Sequence, residues 1–309
     1  MPTQADNALQ NEAFYEALMT PGMDKVALDA VNDYTRLKMR EDGIFRKILP
    51  PIQLANTDLD RQYDTSLPAK IVDMEVDSPA AISVPLAQFP TQVYIRGQRY
   101  RVLMSRILSP WFAADVDELR THVMDIRQVL SDNSIKDMLA AEDAALFNAT
   151  NTILVGANQT QPFSGIMQWQ TMPGSISRNT LWDAKKIMPQ TDGHLVPSKC
   201  VINNVSIMET CKIGRDEMGG DMSQELFKNG WTEARFMDMD WIITIKRWLV
   251  PDNTIYLFAD PKFMGKFYLL EDTTMFIERR AFLLSYFAYE ALGSTIANPY
   301  SLVRVDFAA

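Results

Sequence analysis

His122 and His194 are the only imidazoles in this sequence, and they set the first limit on its chemistry. His122 sits in RTHVMD, inside a helical pattern, and His194 in TDGHLVP, a loop. A packed or solvated side chain is the plain reading of each. No GxSxG elbow occurs, and neither histidine has a cysteine partner with local support, so activated-nucleophile catalysis finds no footing. Cys200 and Cys211 have no second cysteine pair and no histidine cluster beside them, and read as two free thiols in a reducing compartment. Asp216, Glu217 and Asp221 in GRDEMGGD place carboxylates among glycines, a composition that suits Ca²⁺ or Mg²⁺. Their spacing is not that of an EF-hand, so a solvated loop is the simpler reading. A metal-dependent hydrolase built on these three acids is the competing one, and it requires metal-dependent activity that Asp216→Asn removes. The glycine-rich phosphate cradles GxGxxG and GxxxxGK[ST] are absent. No residue is therefore assigned to catalysis, to a metal or to a cofactor.

One stretch remains that is rich in recognition chemistry. Tyr94–Arg106 (YIRGQRYRVLMSR) interleaves Arg96, Arg99, Arg101 and Arg106 with Tyr94 and Tyr100. Such a stretch could stack nucleic-acid bases, or its arginines could pair with Asp73, Glu75 and Asp77 on an opposite strand or on another subunit. The charge balance weighs against the first. With 30 basic and 39 acidic residues the net charge is −9, which repels rather than attracts phosphate over the surface as a whole. Inter-subunit pairing is the favoured reading.

The elements that would position these residues read as an α+β chain. Its 309 residues are 47% apolar and 22% charged, enough for a substantial core. No apolar run approaches the roughly 18 residues of a membrane span, and the start MPTQADNALQNEAF has no export-signal pattern. Two short helical patterns, Asn11–Met19 and Asp24–Arg40, precede a Pro-rich stretch through Pro50, Pro51 and Pro68 that reads as an extended arm. Lys70–Val76 and Gln92–Met104 alternate and flank the turn-rich Ser78–Pro90, which predicts a long β-hairpin. Two strands alone are marginal in water, so the hairpin must lie on something. A long helix is predicted from an N-cap at Asp115 to about Thr152, with Ser131–Ser134 as a candidate interruption.

Downstream, Ser177–Met188 reads as a helix stopped by Pro189, Lys199–Ile202 as a buried strand, and Val205–Cys211 as a helix. Trp241–Leu249, Thr254–Phe258, Phe267–Leu270, Thr273–Glu278 and Ser301–Phe307 read as strands. Phe282–Ala291 fits a helix or a buried strand.

This order, with CVINNVSIMETC, MDWIITIKRWLVPDNTIYLFADP and TTMFIERRAFLLSYFAYEALGSTIANPYSLVRVDF, resembles the major capsid proteins of tailed phages, the HK97 fold. The resemblance covers essentially the whole chain as an ordered plan. It implies an N-terminal arm (1–65), an extended hairpin loop (66–106), a peripheral domain with a long spine helix (107–176 and 268–298) and an axial domain (177–267 and 299–309). It further implies hexamers and pentamers of identical copies forming an icosahedral shell. Such a shell encloses double-stranded DNA without sequence-specific binding, in a virion assembled in the host cytoplasm and with no membrane partner. A portal, a possible decoration protein and a separate scaffolding protein are the implied partners, since the chain has no room for a long scaffolding region of its own. The contacts between copies are expected from Phe14, Leu37, Ile44, Phe45, Ile48 and Leu49 in the arm and from Tyr94, Arg96, Arg99 and Tyr100 in the hairpin. The shell of a cellular nanocompartment is the alternative, and DNA inside purified particles would separate the two.

Overall fold

The computed structural model describes residues 43–62, 65–76, 83–86, 89, 92, 94, 96–115, 126–159, 166–210, 234–280 and 282–308. The helical patterns at 11–19 and 24–40, His122, Cys211 and the acidic loop residues Asp216, Glu217 and Asp221 lie outside them. In chain order the elements begin with a single helical turn, α1 (Phe45–Ile48), then β1 (Ile52–Gln53), β2 (Asp60–Gln62), β3 (Thr65–Asp73), β4 (Arg99–Leu103), β5 (Ser105–Leu108) and β6 (Phe112–Asp115). The spine helix α2 (Ile126–Gln159) follows, then β7 (Trp169–Pro173), α3 (Arg178–Gln190), β8 (Pro197–Asn203) and α4 (Ile207–Thr210). The remainder is β9 (Ala234–Phe236), β10 (Met239–Thr244), β11 (Thr254–Ala259), α5 (Pro261–Met264), β12 (Gly265–Arg280), β13 (Leu283–Ile296) and β14 (Leu302–Ala308).

Three sheets result. The first has the order β1-β12-β13-β5, with β6 also paired to β13; the second has the order β7-β14-β11-β8-β10-β9; the third is the hairpin sheet β2-β3-β4. The second sheet is covered on both faces, which explains why KCVI reads as an unbroken apolar run rather than as alternation. One face gives Cys200, Ile202, Ile255, Leu257, Val303 and Val305 to a core with Leu181, Ala184, Ile187 and Met188 of α3. The other gives Val201, Tyr256, Phe258 and Leu302 to a core shared with Leu146, Phe147 and Leu154 of α2 and with Phe267, Leu269 and Leu292 of the first sheet. Strand β11 consequently has all six residues buried.

Local chemistry fixes the ends of these elements. Ser177 Oγ accepts from the Thr180 N–H at 3.3 Å and caps α3. Pro189 falls inside the last turn of α3 and does not stop it. The buried Asn203 side chain donates to Val250 O and Asp252 Oδ1 and accepts from the N–H groups of Val205 and Ser206, so one amide closes β8 and starts the turn into α4. Asn253 takes a positive φ of 57° in the Pro251-Asp252-Asn253 turn, a conformation asparagine tolerates better than most residues. No described helix is long and apolar enough to cross a membrane.

Several expectations need correction. The long helix, described from Ile126, runs unbroken through Ser131–Ser134 and ends at Gln159 rather than at Thr152; the expected start after Asp115 falls on residues outside the described ones. Leu283–Ala291 is strand, not helix: Leu283–Ile296 pairs along β12, with Leu284, Ser285, Tyr286, Ala288 and Glu290–Gly293 buried, Phe287 and Tyr289 half-buried and Leu283 exposed. The two strands expected at Phe267–Leu270 and Thr273–Glu278 are one, β12, with register shifts between Leu269 and Thr274. Trp169–Pro173, placed in the peripheral segment 107–176, pairs in parallel with β14 and belongs to the second sheet. Gly265–Phe267, placed in the axial segment, already belongs to the first sheet.

The largest correction concerns the arm. Ile44, Phe45, Ile48 and Leu49 do not wait for a neighbour: they are at most 3% exposed in this chain's own core. Phe45 stacks on Phe267 with ring centroids 4.4 Å apart. A single turn bearing four apolar side chains needs a pre-formed groove, and α2 with β12 supplies it. Phe45→Ala should therefore lower unfolding stability by about 3–5 kcal/mol. Denaturant titration should show this as a shifted midpoint with an unchanged slope.

Candidate functional site

Three features of the structure bear on function: the clamp that holds α1, the outer end of the hairpin, and an aromatic stripe on the first sheet. In the clamp, Asp143 of α2 is fully buried, and its Oδ1 accepts from the N–H groups of Ile44 and Phe45 at 2.8 and 2.7 Å. A carboxylate borrowed from a distant helix thus caps a turn whose own N-cap residue, Ile44, has no polar side chain. Asp143 Oδ2 pairs with Lys246, whose side chain is only 8% exposed. Burial pushes the Asp143 carboxyl up from its ordinary range, and the Lys246 and backbone hydrogen bonds oppose that push.

The other end of α1 is held by Lys199 of β8, which donates to the carbonyls of Lys47 and Ile48. Burial lowers the Lys199 ammonium from its usual value. Arg46 completes the clamp with Glu142 of α2 at 2.8 Å and Glu290 of β13 at 3.2 Å.

The hairpin is seated on the first sheet at its base, and the described residues beyond the base are exposed. Strands β3 and β4 pair antiparallel with Val72 opposite Tyr100 and Asp73 opposite Arg99. Val102, Met104 and Tyr268 form a small core there, with Tyr100 and Val72 packed against it. Gly293 of β13 lets the base settle on the sheet, because a Cβ at that position would lie 2.5 Å from Leu103 O. Beyond the base, Leu86 is 99%, Phe89 96% and Tyr94 85% exposed. Arg96 lies over the Tyr94 ring at 5.8 Å.

The third feature is the outward face of β12, β13 and the residues beside β5 and β6. Trp111 and Phe276 flank Phe287 at ring distances of 5.2 and 5.3 Å. Leu108, Trp111 and Phe276 are all exposed.

The expected contact residues thus separate into groups. Tyr94 and Arg96 are exposed toward the hairpin's outer end, in contact with each other. Arg99 pairs with Asp73 across its own hairpin at 2.7 Å, an exposed bond that contributes little by itself. Tyr100 is half-buried against the chain's own hairpin-base core; Ile44, Phe45, Ile48 and Leu49 lie in the main core, which corrects the expectation that those four meet a neighbour. Phe14 and Leu37 lie outside the described residues. Sequence reading missed Leu86 and Phe89, although two large apolar side chains in a Pro-rich loop were a usable signal. It also missed the buried acids Glu142 and Asp143, hidden in the helical run AAEDAAL.

His194 is exposed, with Nδ1 3.2 Å from Pro189 O. Cys200 is fully buried, and burial pushes its thiol far up, which removes it as a nucleophile. Among the described residues no group of three or more His, Cys, Asp or Glu could hold a metal ion.

No family model and no curated protein matches the sequence. Solved structures do match. A structure from Microbacterium phage Oxtober96 aligns over 96% of this chain and 99% of its own at TM-score 0.64 and 8% identity. The bacteriophage PhiM1 mature capsid aligns over 93% and 98% at TM-score 0.60 and 8% identity. The capsid of cyanophage P-SCSP1u aligns over 94% and 95% at TM-score 0.58 and 13% identity. The fold is that of an HK97-type capsid subunit. Agreement over nearly the full length of both chains at so low an identity means that the arrangement survives replacement of almost every side chain.

The clamp has a measurable consequence. Asp143→Ala leaves the Lys246 ammonium buried without its carboxylate, and should reduce stability by about 3–5 kcal/mol. Adding Lys246→Met should restore part of that loss in chemical denaturation. A double variant no more stable than the single one would show that the ion pair is not what matters.

Proposed function

We propose that this chain is a major capsid protein: copies assemble as hexamers and pentamers into a closed icosahedral shell around double-stranded DNA. The observation that carries this reading is the fold shared over more than nine-tenths of the chain with phage capsid structures, joined to a hairpin whose described outer residues Leu86, Phe89 and Tyr94 are exposed. A loop bearing Leu86, Phe89 and Tyr94 at 85% exposure or more is poorly suited to a lone molecule in water. Covering Leu86 and Phe89 against another copy would contribute roughly 3–6 kcal/mol per hairpin before the cost of association is counted. Closed symmetry then repeats each modest contact around every ring. The net charge of −9 suits a container that encloses DNA without gripping it.

On this reading the subunit does no catalysis. The hairpin loop reaches a neighbour, the spine half lies at the periphery of each capsomer, and the α3 half lies toward its centre. The axial unit then includes Trp169–Pro173, and the arm proper ends near Gly43, where the chain enters the core. A separate scaffolding protein, a portal and possible decoration proteins complete the particle, which is assembled in the host cytoplasm.

The experiment is to express the chain with Leu86, Phe89 and Tyr94 all changed to Ser and compare it with the parent by negative-stain microscopy and circular dichroism. The parent should give closed particles, alone or with a scaffold. The variant should keep its secondary structure and melting behaviour but give none. Closed particles from the variant would remove the hairpin end from the assembly contacts.

A further inference from the structure

Between the arm turn and the first sheet lie two acids joined through Arg46. Glu142 of α2 and Glu290 of β13 both have side chains with 0% exposure, and they share one guanidinium, that of Arg46. Arg46 reaches Glu142 with Nε at 3.1 Å and Nη2 at 2.8 Å, and the same Nη2 reaches Glu290 Oε2 at 3.2 Å. Thr273 of β12 donates its hydroxyl to that same Glu290 oxygen at 3.1 Å. The other oxygen, Glu290 Oε1, is buried and has no hydrogen-bond partner among the described residues.

The surroundings supply other charges, each already engaged. From α2, Asp143 pairs with Lys246. From β12, Asp272 shares Arg46 at 3.4 Å but is 65% exposed, and Glu271 accepts from the Tyr289 hydroxyl. From β5, Ile107 stands opposite Glu290, while the neighbouring Arg106 lies over the Tyr289 ring.

A buried carboxylate oxygen without a donor is costly, and two buried carboxylates around one cation are costlier still. A proton on Glu290 Oε1 relieves both penalties, since it cancels one charge and supplies a donor toward Glu142. We propose that Glu142 and Glu290 form a proton-binding site beneath the arm turn, holding one proton between them and releasing it to solvent as pH rises, which loosens α1 from the body.

The electrostatics agree: burial first, and then the facing Glu142, push the Glu290 carboxyl up from its ordinary value to about 7. The sign follows from proton counting. The closed state binds more protons than an opened state with an ordinary carboxyl near about 4.3. Closure is therefore fully favoured at low pH, weakens as pH rises toward about 7, and changes no further above that. The site would give residues 1–42 a pH-dependent anchorage at the point where the chain enters the core.

The test is hydrogen exchange of the Ile44–Leu49 segment in the full-length chain from about pH 5 to pH 8, corrected for intrinsic exchange, in the parent, Glu290→Gln and Glu142→Gln. In the parent, the opening constant should rise by up to about tenfold per pH unit below about pH 7 and then level off. Glu290→Gln keeps the shape and a donor but cannot lose the proton, so its opening should stay low and flat; Glu142→Gln should flatten the profile as well. Difference infrared spectra should show a carboxylic-acid band near pH 6 in the parent that is lost in Glu290→Gln. A flat parent profile, an unchanged slope in Glu290→Gln, or no carboxylic-acid band would each overturn the proposal.

Discussion

The described structure depends on one constraint: the spine helix carries carboxylates into the interior, and everything that meets the helix must satisfy them. Asp143 is met by two backbone N–H groups of the arm turn and by Lys246. Glu142 is met by Arg46. A buried acid needs several partners to persist, so these contacts fix three otherwise separate pieces of chain in one register. The arm turn, the loop after β10 and β13 are held together by charges that could not remain buried if any one piece left. Apolar packing adds the bulk of the stabilisation, but apolar side chains alone would tolerate sliding along the helix.

The same helix links the two compact halves. Farther along it, Asn151 accepts from the Tyr256 hydroxyl and from Arg304 Nη1. Arg304 in turn lies 4.1 Å from the Trp169 ring centroid. Asp306 accepts from Trp169 Nε1, Thr254 Oγ1 and Arg304 Nε, so β7, β11 and β14 are stitched at one point. The spine is thus bonded to the first sheet near its middle and to the second sheet a few turns later. Beyond the seated base of the hairpin, Leu86, Phe89 and Tyr94 are exposed.

How much of this was legible in the sequence depended on the range of the interaction. The start of the helix at Ser177, the Pro251-Asp252-Asn253 turn and the apolar run at Cys200 are local and legible; the hairpin pairing is legible too, but its strands lie at Thr65–Asp73 and Arg99–Leu103 rather than at Lys70–Val76 and Gln92–Met104. The placement of Ile44–Leu49 was not, because the acid that caps this turn lies 99 residues away from Ile44. A short apolar stretch after prolines and charges looks the same whether it serves its own core or a neighbour's. Leu283–Ile296 was ambiguous for a related reason: a strand buried on one face of a long ribbon and aromatic on the other has no clean period. Of the expected contact residues, Tyr94 and Arg96 are exposed, whereas Ile44, Phe45, Ile48 and Leu49 are buried in this chain's own core by partners that spacing could not reveal.

The division between what the chain keeps for itself and what it offers to another copy is the central claim, and hydrogen exchange on dilute subunits against assembled particles tests it most directly. The account predicts that Ile44–Leu49 is protected in both states, whereas the hairpin's outer end around Leu86–Tyr94 exchanges freely in the lone chain and becomes protected only in particles. Protection of that end in isolated subunits, or an arm turn that gains its protection only on assembly, would contradict it.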